Sequence, residues 1–224
     1  DGRPYLGPAP EIDGLFIASG MNSSGILNSG GVGLTMAEWM IDGDPSRAMG
    51  SLLAARAHPF QTNTRYVQDR SAESIGFHYG IAWPGRQTVT TRNLRKVPLH
   101  DRLQQWATEP ALGWKPWSDK VQAECLAARD NAVLIDQSMY AKILVQGRDA
   151  VKALNRICGA QMDVPTGTSV YTQFLNARGG IEADVTITRI ETQTFMVITG
   201  HPSQTRDKAW IRRHADPDWH FEIF

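Results

Sequence analysis

The sequence predicts a mixed α+β chain of several domains, opening on an α/β-type unit and closing on a β-rich block. Three features carry that expectation. Near the start, LFIASG is a short apolar run closed by glycine, and a turn rich in Gly, Ser and Asn leads it into a helical pattern. In the middle, residues 47–117 are rich in aromatic and turn residues and sustain no long period. From Ser118 onward, helix and strand patterns alternate until a period-two pattern takes over.

Taken in order, LFIASG is a buried strand and GMNSSGILNSGG the loop after it. Val32, Met36, Trp39 and Met40 then fall on one helical face, and Gly43 and Pro45 stop the helix. Residues 47–117 are expected to be short strands and loops forming a small central β-rich domain. SDKVQAECLAARDNA begins with a capping Ser118 and places Val121, Cys125 and Leu126 together, which predicts a helix. AVLIDQS and AKILVQG read as strands, and RDAVKALNRICGA as a helix with Val151, Leu154 and Cys158 in line. SVYTQFLN, the turn ARGG, IEADVTITRI, the turn ETQT and FMVITG read as consecutive antiparallel strands. In the third of these, Val185, Ile187 and Arg189 alternate with Asp184, Thr186 and Thr188. HPSQTRDKAWIRRHA predicts a last helix, and a further strand is under way in DPDWHFEIF.

The 224 residues are 42% hydrophobic, enough for one large core or two smaller ones, and carry zero formal net charge. No whole-chain field therefore attracts nucleic acid or acidic membranes. The two cysteines, Cys125 and Cys158, lie in no C-x-x-C or His-containing metal pattern and read as buried thiols of a reducing compartment. His58, His78 and His100 have no partner at ligand spacing, so no metal site is expected. No run approaches the about 18 apolar residues of a membrane span. The sequence starts at Asp1 rather than Met and stops inside a strand, so it is expected to be an internal piece of a longer polypeptide.

Two constellations can carry chemistry. A glycine turn entering a helix leaves backbone N–H groups unpaired at the positive end of the helix dipole. That suits a phosphate or an electron-rich ring, with Gly20 and Gly25 allowing close approach and Asn22, Ser23 and Ser24 able to hydrogen-bond to it. An ordinary tight turn in an α/β domain fits the same residues. The second is YTQFLNARGGIEAD. Asp184 follows a G-G turn at the start of a strand, where rigid backbone would hold its carboxylate to accept or position a proton. Tyr171 converges on it if the hairpin adds no bulge between them; a surface hairpin with a solvated Asp184 is the plainer alternative. Trp83, Trp106, Trp114 and Trp117 read as packing residues, and Asp136 and Ser138 as a side-chain-bonded turn.

GRPYLGPAPEIDGLFIASGMNSSGILNSGGVGLTMAEWMIDGDPS resembles the C-terminal end of the flavin domain in the dimethylglycine and sarcosine dehydrogenase family. NTRYVQDRSAESIGFHYGIAWPGRQTVTTRNLRKVPLHDRL is similar to that family's central domain. LIDQSMYAKILVQGRDAVKALNRICG through GTSVYTQFLNARGGIEADVTITRI resembles the start of its folate domain, related to the glycine-cleavage T-protein. The resemblance implies three segments: 1–46 ending an amine-oxidase-type FAD domain, 47–117 a central domain, and 118–224 the N-terminal part of a folate-binding domain.

It further implies that Gly20, Met21, Asn22, Ser23, Ser24 and Gly25 lie beside the flavin ring, Tyr171 contacts the folate pterin, and Asp184 is the catalytic acid. The implied cofactors are FAD and tetrahydrofolate. The implied activity is oxidative N-demethylation of dimethylglycine- or sarcosine-type amines, with the carbon captured as 5,10-methylene-tetrahydrofolate. A small N-methyl amine is the implied substrate and an electron-transfer protein a possible partner; nucleic acid and a membrane span are not expected. A non-catalytic folate-binding or scaffold module is the alternative. Many relatives carry a second acid where this chain has Ala183, so Asp184 is expected to lack a neighbouring carboxylate. The piece by itself is expected to be inactive and to fold poorly. The expected compartment is the bacterial cytoplasm before the mitochondrial matrix.

Overall fold

A computed structural model describes residues 2–81, 86, 88–92, 94–103 and 118–224. In chain order its elements are β1 (Tyr5–Pro8), β2 (Phe16–Ser19), α1 (Gly25–Asp42), α2 (Thr64–His78), α3 (His100–Leu103), α4 (Ser118–Asp130) and β3 (Ala141–Gln146), then α5 (Ala150–Ile157), β4 (Ser169–Leu175), β5 (Ile181–Glu191), β6 (Thr194–Thr199), α6 (Gln204–Arg213) and β7 (Glu222–Ile223). They gather into two compact units, one of residues 3–59 with 140–224, the other of 60–139 with the first two residues.

In the larger unit a five-stranded sheet runs in the order β4-β5-β6-β3-β7, every neighbouring pair antiparallel. Alternation puts Ile143, Val145, Val185, Ile187, Phe195 and Val197 on one face, all at most 2% exposed. Against them pack Ala150, Leu154 and Ile157 of α5 and Ile211 of α6, and Ala153 is buried as well. The buried stripe of α5 thus runs i, i+3, i+4, i+7 from Ala150. The expected line Val151–Leu154–Cys158 is displaced: Val151 sits at the edge of the core and Cys158 is the residue after the helix. Burial pushes the Cys158 thiol up to about 12, so it packs as a small apolar group. Asp149, just before α5, accepts hydrogen bonds from the His220 amide (3.0 Å) and the Lys152 ammonium (2.7 Å). The backbone bond is the largest cause, ahead of Lys152 and Arg148, of its carboxyl being held down at about 2.

The front of this unit is the two-stranded β1–β2 hairpin with α1 laid on it. Leu6, Met36 and Trp39 form the buried centre, with Phe16, Met21, Val32, Leu52 and Leu53 around them. Val32, Met36 and Trp39 share a face as expected, whereas Met40 is 57% exposed. Gly7 has φ +102 and meets the Trp39 ring so closely that an added Cβ would stand 3.0 Å from it. The helix starts at Gly25 rather than beyond residue 31, so Gly30, Gly31 and Gly33 lie within its turns. Its outer face is also apolar, Ile26 and Leu27 being 94% and 86% exposed, so periodicity alone could not locate its start. Gly43 ends it in the left-handed conformation, donating its N–H to the Trp39 carbonyl.

In the other unit, residues expected to be short strands contain the 15-residue helix α2 instead. Asn63 caps it by accepting the Tyr66 N–H, Arg65 and Asp69 pair on its exposed side, and Arg70 and Glu73 pair where both side chains are largely shielded. Polar local bonds therefore set this helix, and no buried apolar stripe marks it in the sequence. The Glu73 carboxylate also accepts N–H groups of Val89 and Thr90, and Arg70 donates to the Thr90 carbonyl. Among the described residues of 47–117 there is no named strand, and Leu53 forms an isolated bridge with Leu6. AVLIDQS is not a strand either; Val133, Leu134 and Ile135 are exposed, with no ladder partner among the described residues. Asp136 and Ser138 do form the expected turn, with Asp136 Oδ1 accepting the Ser138 N–H at 2.9 Å. Helix α4 forms as expected, but its Val121 and Leu126 are 42% and 50% exposed and Cys125 is exposed rather than buried.

One glycine gives a test of the sheet edge. Gly147 has φ +147, and a Cβ there would stand 2.4 Å from the His220 carbonyl oxygen and 2.5 Å from Phe221 Cα. Gly147→Ala is expected to destabilise the protein by about 3 kcal/mol or more. Gly167→Ala, with φ +87 but open space around it, is expected to cost about 1 kcal/mol. Denaturant midpoints of the two variants check the difference.

Candidate functional site

The hairpin β4–β5 places the site. Its tight turn is built by Asn176, whose Oδ1 accepts the N–H groups of Arg178 (3.0 Å) and Gly180 (2.8 Å). Gly179 turns the chain with φ +78, and a Cβ on Gly180 would stand 2.8 Å from the Asn176 side chain. The hairpin does contain a bulge: Phe174 pairs with Ala183 but Leu175 with Ile181, which leaves Glu182 as the extra residue. The irregularity lies on the turn side of the functional pair. From there Gln173 stands opposite Asp184 and Tyr171 opposite Thr186 in regular register. Tyr171, Gln173 and Asp184 consequently share one face, away from Thr172, Phe174, Ala183 and Val185, which are buried.

On that face Tyr171 Oη donates to Asp184 Oδ2 at 2.8 Å, and Gln173 Nε2 donates to Asp184 Oδ1 at 3.1 Å. The structure thus brings together Tyr171 and Asp184, both singled out from the sequence, and adds Gln173. The missed signal was parity: position 173 is two residues from Tyr171 and directly across from Asp184. The hydrogen bond to Asp184 is the largest cause raising the Tyr171 phenol above its ordinary value; desolvation and the Asp184 charge add to it. The phenol therefore stays protonated at neutral pH. Its ring is 66% exposed and open to stacking by a planar ligand. The Asp184 oxygens keep lone pairs with which to orient or take a proton from such a ligand.

The Ala183 concern is resolved by direction. Residue 183 points into the core, where Ala183 is 5% exposed. An acid at that position would face the opposite side of the sheet from Asp184.

The turn from Gly20 to Gly25 is the second feature. Gly20, Asn22 and Ser23 all lie in the left-handed region, at φ +74, +44 and +69. Two non-glycine residues so close together there are strained. Ser24, the residue before α1, makes no side-chain cap bond. The Ser24 N–H turns back to the Met21 carbonyl at 3.0 Å, and the 18-residue helix begins at Gly25. Met21 packs against the Leu6–Met36–Trp39 centre, anchoring the turn. Gly25 has only Met21 Cβ, at 3.7 Å, near the position of an added Cβ. A strained backbone, a helix N-terminus and a bare Gly25 fit a flat, electron-rich ring.

A cavity of about 420 Å³ opens elsewhere in this unit, between Trp39, Arg47, Glu182 and Arg213. Neither Tyr171 and Asp184 nor the 20–25 turn lines it; both features are open surfaces. Among the described residues no cluster of His, Cys, Asp or Glu suits a metal, and no helix is long and apolar enough to cross a membrane. Trp83, Trp106, Trp114 and Trp117 lie outside the described residues.

The Tyr171–Asp184 bond predicts a measurable shift. Asp184→Asn removes the anionic acceptor that favours the protonated phenol, so Tyr171 should titrate at lower pH, closer to 10.0. Carbon NMR of labelled tyrosine rings follows this directly. An unchanged midpoint would mean that the bond is not populated in solution.

Residues 91–223 match the GCVT N-terminal domain, and residues 42–96 match the FAD dependent oxidoreductase central domain. A 4-methylaminobutanoate oxidase (formaldehyde-forming) of Paenarthrobacter nicotinovorans is 36% identical over 96% of this chain and 29% of its own length. The mitochondrial sarcosine dehydrogenase of Mus musculus is 30% identical over 85% of this chain and 26% of its own. The mitochondrial pyruvate dehydrogenase phosphatase regulatory subunit of the same animal is 29% identical over 97% of this chain and 28% of its own. The chain spans less than a third of the length of these relatives. With an oxidoreductase central domain leading into a GCVT domain, the chain belongs to the dimethylglycine and sarcosine dehydrogenase family.

Proposed function

We propose that this chain is part of a flavin-dependent oxidative N-demethylase of dimethylglycine- or sarcosine-type amines. The carbon removed passes to tetrahydrofolate as 5,10-methylene-tetrahydrofolate. The observation that carries this is the Tyr171–Asp184–Gln173 cluster, in the chain that also bears the strained 20–25 turn. Relatives named as a sarcosine dehydrogenase and a 4-methylaminobutanoate oxidase (formaldehyde-forming) support the oxidation of a methylated amine, and the GCVT match supports the folate domain.

When bound, the flavin supplies a two-electron acceptor for the hydride leaving the N-methyl carbon, and tetrahydrofolate supplies the nitrogens that capture that carbon. The chain's own groups do the rest. Gly20, Met21, Asn22, Ser23, Ser24 and Gly25 would hold the flavin ring, the glycines by allowing close approach and Asn22, Ser23 and Ser24 by hydrogen bonds. Tyr171 would hold the pterin, its hydroxyl bonded to Asp184. Asp184 orients or accepts the proton released as the carbon is captured. In this reading residues 1–46 end the flavin domain, 47–117 form the central domain, and 118–224 begin the folate domain. The reoxidant is oxygen or an electron-transfer protein, and the setting is a reducing compartment such as the bacterial cytoplasm.

A second reading is favoured by one observation: a relative at 29% identity is named as a regulatory subunit rather than a dehydrogenase. This chain would then belong to a non-catalytic folate-binding or scaffold module.

Two variants of the complete polypeptide separate these readings. Gly25 has room for a side chain within its own fold, so Gly25→Leu should weaken flavin binding about tenfold or more with an unchanged melting temperature. Flavin absorbance after gel filtration reads the outcome; full retention removes the turn from the flavin site. Asp184→Asn should slow folate-dependent carbon transfer by about a hundredfold while folate still binds, so that formaldehyde is released instead. If neither wild type nor variant transfers carbon and the protein oxidises no N-methyl amine, the module reading holds.

A further inference from the structure

We propose that Gln173 is the positioning residue for Asp184, a role that rests on the folate-site reading above. A carboxylate held through one oxygen can still swing about that bond. Asp184 is held through both, Oδ2 by Tyr171 at 2.8 Å and Oδ1 by Gln173 at 3.1 Å. Two donors on different residues of one strand fix the plane of the group as well as its place. Tyr171 offers its ring to a ligand, whereas Gln173 brings only an amide to the cluster, reaching Asp184 and also the Tyr171 hydroxyl.

Gln173 is suited to this by its backbone. It lies directly across the ladder from Asp184, where facing side chains stand about 5 Å apart at Cβ. Its neighbours Thr172 and Phe174 are 2% and 0% exposed and lock the strand on either side. Its own carbonyl accepts the Gly159 N–H at 3.0 Å, which ties the far edge of the strand. The amide has one favourable orientation here, because turning its oxygen toward the carboxylate would set two acceptors face to face.

The test uses the complete polypeptide, with Gln173→Met removing the donor at similar length and Gln173→Lys restoring one. Gln173→Met should lower kcat for carbon transfer about tenfold and leave KM for tetrahydrofolate within about twofold. Gln173→Lys should return kcat to within about threefold of wild type. Full activity in the Met variant overturns the proposal, and so does a Lys variant as impaired as Met. The ligand-free protein supplies a readout independent of turnover. In proton–nitrogen NMR the Gln173 side-chain amide protons should exchange with solvent more slowly in wild type than in Asp184→Ala. Absence of carbon transfer in wild type would sink the carbon-transfer reading, and the amide signals would still decide the clamp: exchange that quickens in Asp184→Ala supports it, and equal exchange overturns it.

Discussion

The pairing of Gln173 with Asp184 across β4 and β5 governs the direction of every side chain at the acid site. Strand side chains alternate, so this register sends Tyr171, Gln173 and Asp184 outward while Thr172, Phe174, Ala183 and Val185 seal the core. A one-residue slip would bury Asp184 and expose Val185. The hydrophobic face therefore enforces the polar one, and the site inherits the rigidity of the core beneath it. The extra residue, Glu182, is taken up at the turn, where Asn176 Nδ2 donates to its carboxylate at 2.8 Å.

A different device holds the front of the chain. The bend from Gly20 to Gly25 spends its strain in three left-handed residues before the helix begins. Nothing in that bend is buried deeply enough to demand such a backbone, apart from Met21 at its root. Left-handed Asn and Ser persist where the surroundings over-determine them, here Met21 in the core and the first turn of α1. The result is a bent, largely exposed segment leading into the helix. Elsewhere in the same unit, β5 carries an acid held by two donors.

The segment matched by the oxidoreductase central domain is stabilised on other terms. In α2 the ends and surface pairs matter more than burial, and Glu73 reaches from the helix to gather the amides of Val89 and Thr90. Such structure leaves little imprint in hydrophobic spacing. That is why a helix stands where short strands were expected.

The sequence by itself determined the elements whose apolar spacing is regular: β2, β3, the β4–β5–β6 hairpins, α4 and α6, and the inward face of α1 at Val32, Met36 and Trp39. It also determined which residue types could carry chemistry, since Tyr171, Asp184 and the glycine turn are legible as motifs. Tertiary structure decided what spacing does not encode. The start of α1 and the core face of α5 depend on which neighbours are present, because Ile26 and Leu27 or Val151 and Cys158 satisfy a helical period equally well. AVLIDQS has a strand's composition and no strand beside it, and a strand is defined by its partner. The place of Gln173 at the acid, and the inward turn of Ala183, follow from a cross-strand register fixed by residues far apart in sequence.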